Sequence, residues 1–490
     1  MDKYQIINKN KKQFFLAGEV HNSSASSIEY MEKMVWRRID QLAINTLLIP
    51  IYWELFEPQQ GVFDYSLLEN HLKNAADKKV QVIFLWYGLW KNGLSTYVPQ
   101  WMKVDDTGRF IRVQDKNGHH LESFTPLCKN STEADIVAFG KLCSYLADHP
   151  LKDHVAMIQV ENELGCLQTD RDYSDCAQNQ YQGKLPTVIQ NVYPEALFWH
   201  DIPHSQECFM AYYYAKTIES LAKLVEKHLD IPVFTNVWLK KVGKMPGEYP
   251  SGGAIDTTWK VWKAVAKSLT FIAPDIYEED ISAILSAYSD DQSLFIPETR
   301  IDKKYISNIF YAFGKGAIGY SPFGIEDLLA DQKDQNYTFL KQLGLEKEAF
   351  NCEDTKAYLN RGYEIISELT PLLLHPKAAV FSFRKENCNQ LIFEDTDYRW
   401  EIKLFSTKDM IHSAGMIIKL EDTYYCTGAN IAFNLNLLQH SQQRVGILSL
   451  EEGYFDSGVW QKTRQLNGDE AYYPFIGEAF KIVKMKLFKY

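Results

Sequence analysis

Eight short apolar runs, most of them separated by stretches of helical periodicity, occupy roughly the first 340 residues and constrain the fold more than any other feature. They lie at residues 14–20 (FFLAGEV), 46–53 (TLLIPIYW), 80–88 (VQVIFLWYG), 155–160 (VAMIQV), 232–239 (PVFTNVWL), 269–277 (LTFIAPDIY), 293–298 (SLFIPE) and 317–325 (AIGYSPFGI). Their length and their β-branched and aromatic content are those of strands. Nearly unbroken apolarity means that both faces are covered, as in a parallel sheet flanked by helices. SSIEYMEKMVWRRIDQLA reads as one helix capped by Ser26 or Ser27. STEADIVAFGKLCSYLAD reads as another, capped by Ser131 or Thr132. The expected fold is an α/β class (β/α)8 barrel. An open doubly wound sheet is the alternative, but the first β-to-α turn, GEVHNSSASS, lacks the GxGxxG pattern.

Past about residue 365 the pattern changes to short alternating runs without long helices between them: AAVFSFR, QLIFED, RWEIKLF, AGMIIKL, RVGILSL and FKIVKMKLF. These predict an antiparallel β-sandwich, and EEGYFDSG reads as a hairpin turn. A chain of 490 residues is too long for one core. The expected division is a catalytic barrel at 1–340, a linker helix at 341–370 and the β-sandwich at 371–490.

Charge and cysteine usage remove several classes of function. The net charge of -11 argues against nucleic acid or an anionic membrane surface as partner. Eight cysteines without CxxC spacing make neither a disulfide framework nor a zinc site. No segment reaches the ~18 uninterrupted apolar residues of a membrane span. The first residues carry no signal-type apolar stretch, so a cytoplasmic protein is expected.

In a barrel of this kind the C-terminal strand ends form the active face. Taken in order, the strands deliver Glu19 and His21; Trp53, Glu54 and Glu57; Trp86, Tyr87, Trp90 and Asn92; Asn162 and Glu163; Asn236 and Trp238; Asp275 and Tyr277; Glu298 and Arg300; and Ser321 and Phe323. This rim is rich in carboxylates and aromatics. It has no histidine cluster at metal spacing and no phosphate loop, so no metal or cofactor is expected.

Two carboxylates across an aromatic cleft are what glycosidic bond cleavage needs: one protonates the leaving oxygen, and the other attacks the anomeric carbon or activates water. Glu163 and Glu298 close the fourth and seventh strands, which face each other across a barrel. Asn162 and Glu163 are neighbours and can both face the pocket only if the strand end is irregular. Glu161 reads as a supporting charge. Trp86 reads as core, and Trp90 and Trp238 as stacking platforms. Glu19, His21 and Asn92 complete the substrate-facing set.

These residues resemble those of clan A of the glycoside hydrolases. IQVENELG is similar to the family 35 signature Q-x-E-N-E followed by an aromatic, and YWELFEPQQGVFDY is similar to that family's W-N-x-H-E-P-x-x-G-x-Y-x-F. WKNGLSTYVPQWMK, ECFMAYYYAK, GEYPSGG, FIAPDIY, FIPETR and VGILSLEEGYFDSGVWQKTRQLNGDE resemble the branch carrying a DUF5597-type C-terminal domain. The resemblance implies that Glu163 is the acid/base and Glu298 the nucleophile of a retaining β-galactosidase. It further implies that Asn162 bonds the sugar 2-hydroxyl and Tyr277 holds the nucleophile. The chain departs from the pattern at Glu54, Phe56, Leu164 and Thr299-Arg300, and most of all at Gly88-Leu89-Trp90, where typical galactosidases read Ala-Glu-Trp. The expected activity is therefore a retaining, exo-acting β-glycosidase, nominally a β-galactosidase, taking an oligosaccharide or glycoside. A β-glucoside-active enzyme or transglycosylase is the alternative, and a non-catalytic carbohydrate-binding barrel the remote one. Homo-oligomerisation is left open.

Overall fold

The computed structural model describes Ile6 and residues 13–330, 352–438 and 443–490. Eight parallel strands form one sheet: β1 (Phe15–Glu19), β2 (Thr46–Tyr52), β3 (Gln81–Lys91), β4 (Val155–Asn162), β5 (Val233–Trp238), β6 (Phe271–Asp275), β7 (Leu294–Thr299) and β8 (Ala317–Pro322). Their order is β6-β5-β4-β3-β2-β1-β8-β7. The two ends meet where the Ile276 N–H donates to the Glu298 carbonyl at 2.8 Å and the Thr299 hydroxyl donates to the Ile276 carbonyl at 2.8 Å. These bonds close the sheet into a barrel, and they do so at the residue that ends β7. All residues of β1, β2, β4, β6, β7 and β8 are buried, as continuous apolar runs require.

Two helix expectations need correction. Residues 26–43 are not one helix but a short helix (Ile28–Met31), a π-helical turn (Glu32–Trp36) and a 3-10 turn (Ile39–Gln41). Val35 and Trp36 are both fully buried where the backbone bonding passes from α to π and then to 3-10. Ser27 does cap the first piece, accepting from the Tyr30 N–H at 3.2 Å. The later helix runs Lys129–Asp148, so it starts ahead of both predicted caps. Ser131 is buried inside its first turn, and the Thr132 hydroxyl bonds back to the Cys128 carbonyl at 3.3 Å.

Beyond the helix Thr355–Leu373 follow ten antiparallel strands: β9 (Ala379–Arg384), β10 (Gln390–Glu394), β11 (Tyr398–Leu404), β12 (Ala414–Leu420), β13 (Thr423–Ala429), β14 (Ile431–Leu437), β15 (Val445–Asp456), β16 (Val459–Gln465), β17 (Phe475–Ile476) and β18 (Ile482–Lys489). They make a six-stranded sheet, β9-β12-β13-β18-β15-β16, and a four-stranded one, β10-β11-β14-β17. Phe383, Ile417 and Met485 from the first and Trp400, Ile402 and Phe433 from the second share one core. The β15–β16 turn has Ser457 and Gly458 at φ 49° and 79°, the left-handed pair of a tight hairpin.

The helix Asn308–Gly314 packs against β9 and β12, and buried Arg384 reaches Asp280 at 3.0 Å and the Glu279 carbonyl at 2.5 Å. The sandwich is thereby tied to the loop after β6. The expected boundary at 340/341 lies outside the described residues. Among the described residues, no helix is long and apolar enough to cross a membrane, and none of the eight cysteines is disulfide-bonded.

Candidate active site

At the end of β4, Glu161 and Glu163 both take left-handed backbone, with φ of 57° and 47°. This breaks the alternation of a regular strand, as Asn162 and Glu163 require to share a pocket. Such backbone costs a non-glycine residue about 1–2 kcal/mol, and β3 holds it in place. Leu89 and Trp90 donate their N–H groups to the two oxygens of Glu161, at 2.9 and 2.7 Å. Lys91 Nζ donates to Asn162 Oδ1 at 2.9 Å. The Asn92 and Gly93 N–H groups donate to the carbonyls of Asn162 and Glu163, each at 3.1 Å. From the other side, Asn236 Oδ1 accepts the Glu163 N–H at 3.0 Å while its Nδ2 donates to Asp275 at 2.7 Å.

Glu161 is the anchor of this arrangement. Its carboxyl lies within hydrogen-bonding reach of Asp135, which accepts from Trp86 Nε1 at 2.8 Å. Burial raises both carboxyls, and Asp135's charge raises Glu161 further, so the pair holds a proton. Gly88 lies against this cluster. A Cβ there would sit 2.2 Å from Trp86 Nε1 and 2.6 Å from an oxygen of each of Asp135 and Glu161. The chain therefore has glycine where the family 35 pattern has alanine.

Glu163 and Glu298 are each only 7% exposed. Burial, then the charge of Glu298, pushes the Glu163 carboxyl up to about 8, with Lys91 opposing. Asp275 is within hydrogen-bonding reach of Glu163, a contact that needs one of the two to carry a proton. Burial also raises Glu298, against the pull of Lys91, the Tyr277 hydroxyl and His21. The Tyr277 hydroxyl donates to one Glu298 oxygen, and the other, Oε2, is buried without a partner among the described residues. Glu19 is held well above its usual range by burial and by Glu298, and its Oε1 also lacks a partner. Asn162 Nδ2 lacks one as well.

The structure brings Glu19, Asn162, Glu163, Tyr277 and Glu298 together around Lys91. Asn92, at φ 52°, borders them through its bond to Asn162. Trp238 ends β5 half-buried, opposite Asp275 in register. His21 bonds Asp327 at 2.9 Å through Nε2, and its N–H donates to Glu326 at 3.0 Å. Burial works against a charge on His21, but Glu326 and Asp327 outweigh it and lift the imidazole to about 9.

Trp90 does not fit its expected role. It is fully buried, gives its indole N–H to the Phe124 carbonyl at 2.9 Å and packs edge-on to Tyr214, so its face is not open to a sugar. β3 simply runs on to Lys91, past the run that ends at Gly88 in the sequence pattern. Lys91 is the residue sequence reasoning missed. The signal was a lysine directly after FLWYGLW, where burial demands anionic company. Among the described residues, no group of three or more His, Cys, Asp or Glu side chains could hold a metal ion. A cavity of about 660 Å³ adjoins the site through Tyr277 and Arg300, walled by Leu239, Ile255, Ile284 and Tyr288.

Fold and site define a class of architecture: a closed (β/α)8 barrel with a carboxyl pair at its C-terminal mouth. Comparisons with known proteins are consistent with it. A family model described as beta-galactosidase, glycoside hydrolase family 42, matches residues 27–197, and a domain of unknown function, DUF5597, matches residues 359–477. A beta-galactosidase of Xanthomonas manihotis is 26% identical over 176 residues, covering 34% of this chain; the chain spans 27% of that relative. A beta-galactosidase from Bacillus circulans sp. alkalophilus superposes with TM-score 0.54 at 10% identity, over 97% of this chain and 99% of the other. A catalytic mutant of a family 42 beta-galactosidase from G. stearothermophilus does so with TM-score 0.55 at 10% identity, over 96% and 98%. At this identity the two structures attest the fold. The family 35 expectation is corrected: the matching model is that of family 42, a different family of the same clan. An Asn-Glu pair after the fourth strand and a Glu after the seventh are chemistry that the clan shares, so those short motifs do not separate its families.

Proposed function

We propose that this chain is a retaining, exo-acting β-glycosidase, nominally a β-galactosidase, working by double displacement. The observation that carries the reading is the unequal pair Glu163 and Glu298. At neutral pH Glu163, held up at about 8, keeps its proton and can deliver it to the glycosidic oxygen. Glu298, with the Tyr277 hydroxyl and the charge of Lys91 favouring its anion, attacks the anomeric carbon. Once Glu298 is esterified, its charge no longer raises Glu163, whose pKa falls, and the same carboxylate then takes a proton from water. Asn162 Nδ2 and Glu19 Oε1 are a donor and an acceptor for sugar hydroxyls.

The name of the matching family and of the Xanthomonas manihotis relative supports β-galactosides as substrates. One feature favours the second reading, a β-glucoside-active enzyme or transglycosylase. Leu89 is fully buried and its N–H is committed to Glu161, so nothing at that position reads a sugar hydroxyl. A screen of nitrophenyl β-glycosides, with and without sugar acceptors, tests both. Wild type is expected to release nitrophenol from a β-galactoside or β-glucoside, and Glu298→Gln to lose about 10³-fold or more in kcat. Undiminished release by Glu298→Gln, or none by wild type, would reject the reading.

A further inference from the structure

We propose that Lys91 is the positioning residue of this site: its ammonium turns the amide of Asn162 so that Nδ2 meets the sugar, and it stands as the positive charge amid Glu19, Glu163, Asp275 and Glu298. The consequences for rate rest on the glycosidase reading; the geometry does not.

Lys91 is 6% exposed, and a buried ammonium is tolerated only among acceptors and anions. An ammonium has donors and no acceptor, so the atom of Asn162 that faces it at 2.9 Å must be the amide oxygen. That choice fixes Nδ2, buried and without a partner among the described residues, as the group left for a ligand. A neutral or flipped arrangement would present an oxygen instead and would favour a different substrate atom. The Tyr87 ring, 4.9 Å from Nζ, supports the charge from below.

The backbone at Lys91 is pinned as well. Its N–H donates to the Leu94 carbonyl at 2.8 Å, its carbonyl accepts from Leu94 at 3.0 Å, and the residues on either side are bonded to Glu161 and Asn162. The ionisable groups that feel Lys91 come from all round the barrel: Glu19 of β1, Glu163 after β4, Asp275 of β6, Glu298 of β7 and Tyr97 of the loop after β3. His21 adds a second positive influence on Glu298.

The test compares Lys91→Met, Lys91→Arg, Asn162→Ala and the double variant Lys91→Met/Asn162→Ala. Lys91→Met is expected to lower kcat/KM about 100-fold and to move both limbs of its pH profile up by about one unit. Lys91→Arg is expected to return the limbs to their wild-type positions. Asn162→Ala is expected to cost little in the Lys91→Met background, because its amide is no longer oriented.

Carboxyl titrations followed by carbon NMR in the substrate-free protein supply an arm that needs no turnover. Glu163 and Glu298 are expected to titrate about one unit higher in Lys91→Met. Should that variant not fold, Lys91→Gln, which removes the charge and keeps a polar side chain there, is expected to give the same displacement. Unmoved titrations and limbs, with additive losses in the double variant, would overturn the proposal and leave Lys91 a packing residue. If wild type cleaves no glycoside, the functional reading falls, while the titrations still decide the case of Lys91.

Discussion

Glu161 and Glu163 are the same residue type two positions apart, yet their surroundings give them opposite work. Glu161 is fully buried, and both of its oxygens accept backbone N–H groups. Glu163 has its backbone fixed by Asn236 and its carboxyl turned toward Asp275 and Glu298. Their charge state predicts a bell-shaped profile for kcat/KM whose alkaline limb lies near 8, set by loss of the Glu163 proton. Glu163→Gln should remove that limb for substrates with activated leaving groups, which need no acid. A limb unchanged in that variant would assign the proton elsewhere. Sequence reasoning could pick out Glu163, Asn162 and Glu298 because each ends a strand on the active face. It passed over Lys91 because a lysine at a strand end normally points to solvent; only the four surrounding carboxyls, from strands far apart in the chain, make burial tolerable.

The element that organises the site is the join between β3 and β4. Segment 89–93 is bonded residue by residue to 161–163, and Gly88 gives this join its close approach. Gly88→Ala should destabilise the fold by about 1–3 kcal/mol, the usual cost of an overpacked core, read as a lower urea midpoint at unchanged slope. It should also lower activity, since the displaced segment carries Lys91. An unchanged midpoint would mean that the cluster of Trp86, Asp135 and Glu161 has room that the distances deny. At this scale the eight barrel strands were legible because continuous apolarity is a strong signal. The segment 26–43 was not, because its apolar spacing is helical and no Gly or Pro marks the change to π and 3-10 bonding. β13 and β14 were missed too. They are joined through Asn430 at φ 53°, two residues after Gly428, where the chain crosses from one sheet to the other without a separating loop.

Across the whole molecule, burial holds several carboxyls above their usual range: Glu19, Asp135, Glu161, Glu163, Asp275 and Glu298. In the unfolded chain these groups ionise in the ordinary range near 4. Buried His71 and His412, each lowered to about 4, work the other way up to the ordinary histidine range, but the raised carboxyls and His21 outnumber them, so between the ordinary carboxyl range and about 8, where Glu163 titrates, the folded protein binds more protons than the unfolded one. Stability must therefore fall as pH rises through that window. The melting temperature should decline from about pH 5 to about pH 8, and Glu163→Gln should flatten the decline by up to about one proton, ~1.4 kcal/mol per pH unit. A flat or rising profile would contradict the charge assignments. The C-terminal sandwich bears on the same mouth from outside: Arg384 grips Asp280 and the Glu279 carbonyl, in the loop that follows Tyr277. The alternating pattern made this sandwich legible. Its contact with the barrel, through the helix Asn308–Gly314 and buried Arg384, is announced by no periodicity.

Glu298 is proposed to form a covalent bond to the sugar while Glu163 moves the proton. A slow fluorosugar β-galactoside with a good leaving group, followed by proteolysis and mass spectrometry, tests it most directly. One fluorosugar is expected on the peptide containing Glu298, and none on that peptide in Glu298→Gln. A label on another carboxylate, or turnover of the reagent without any labelled peptide, would contradict the account.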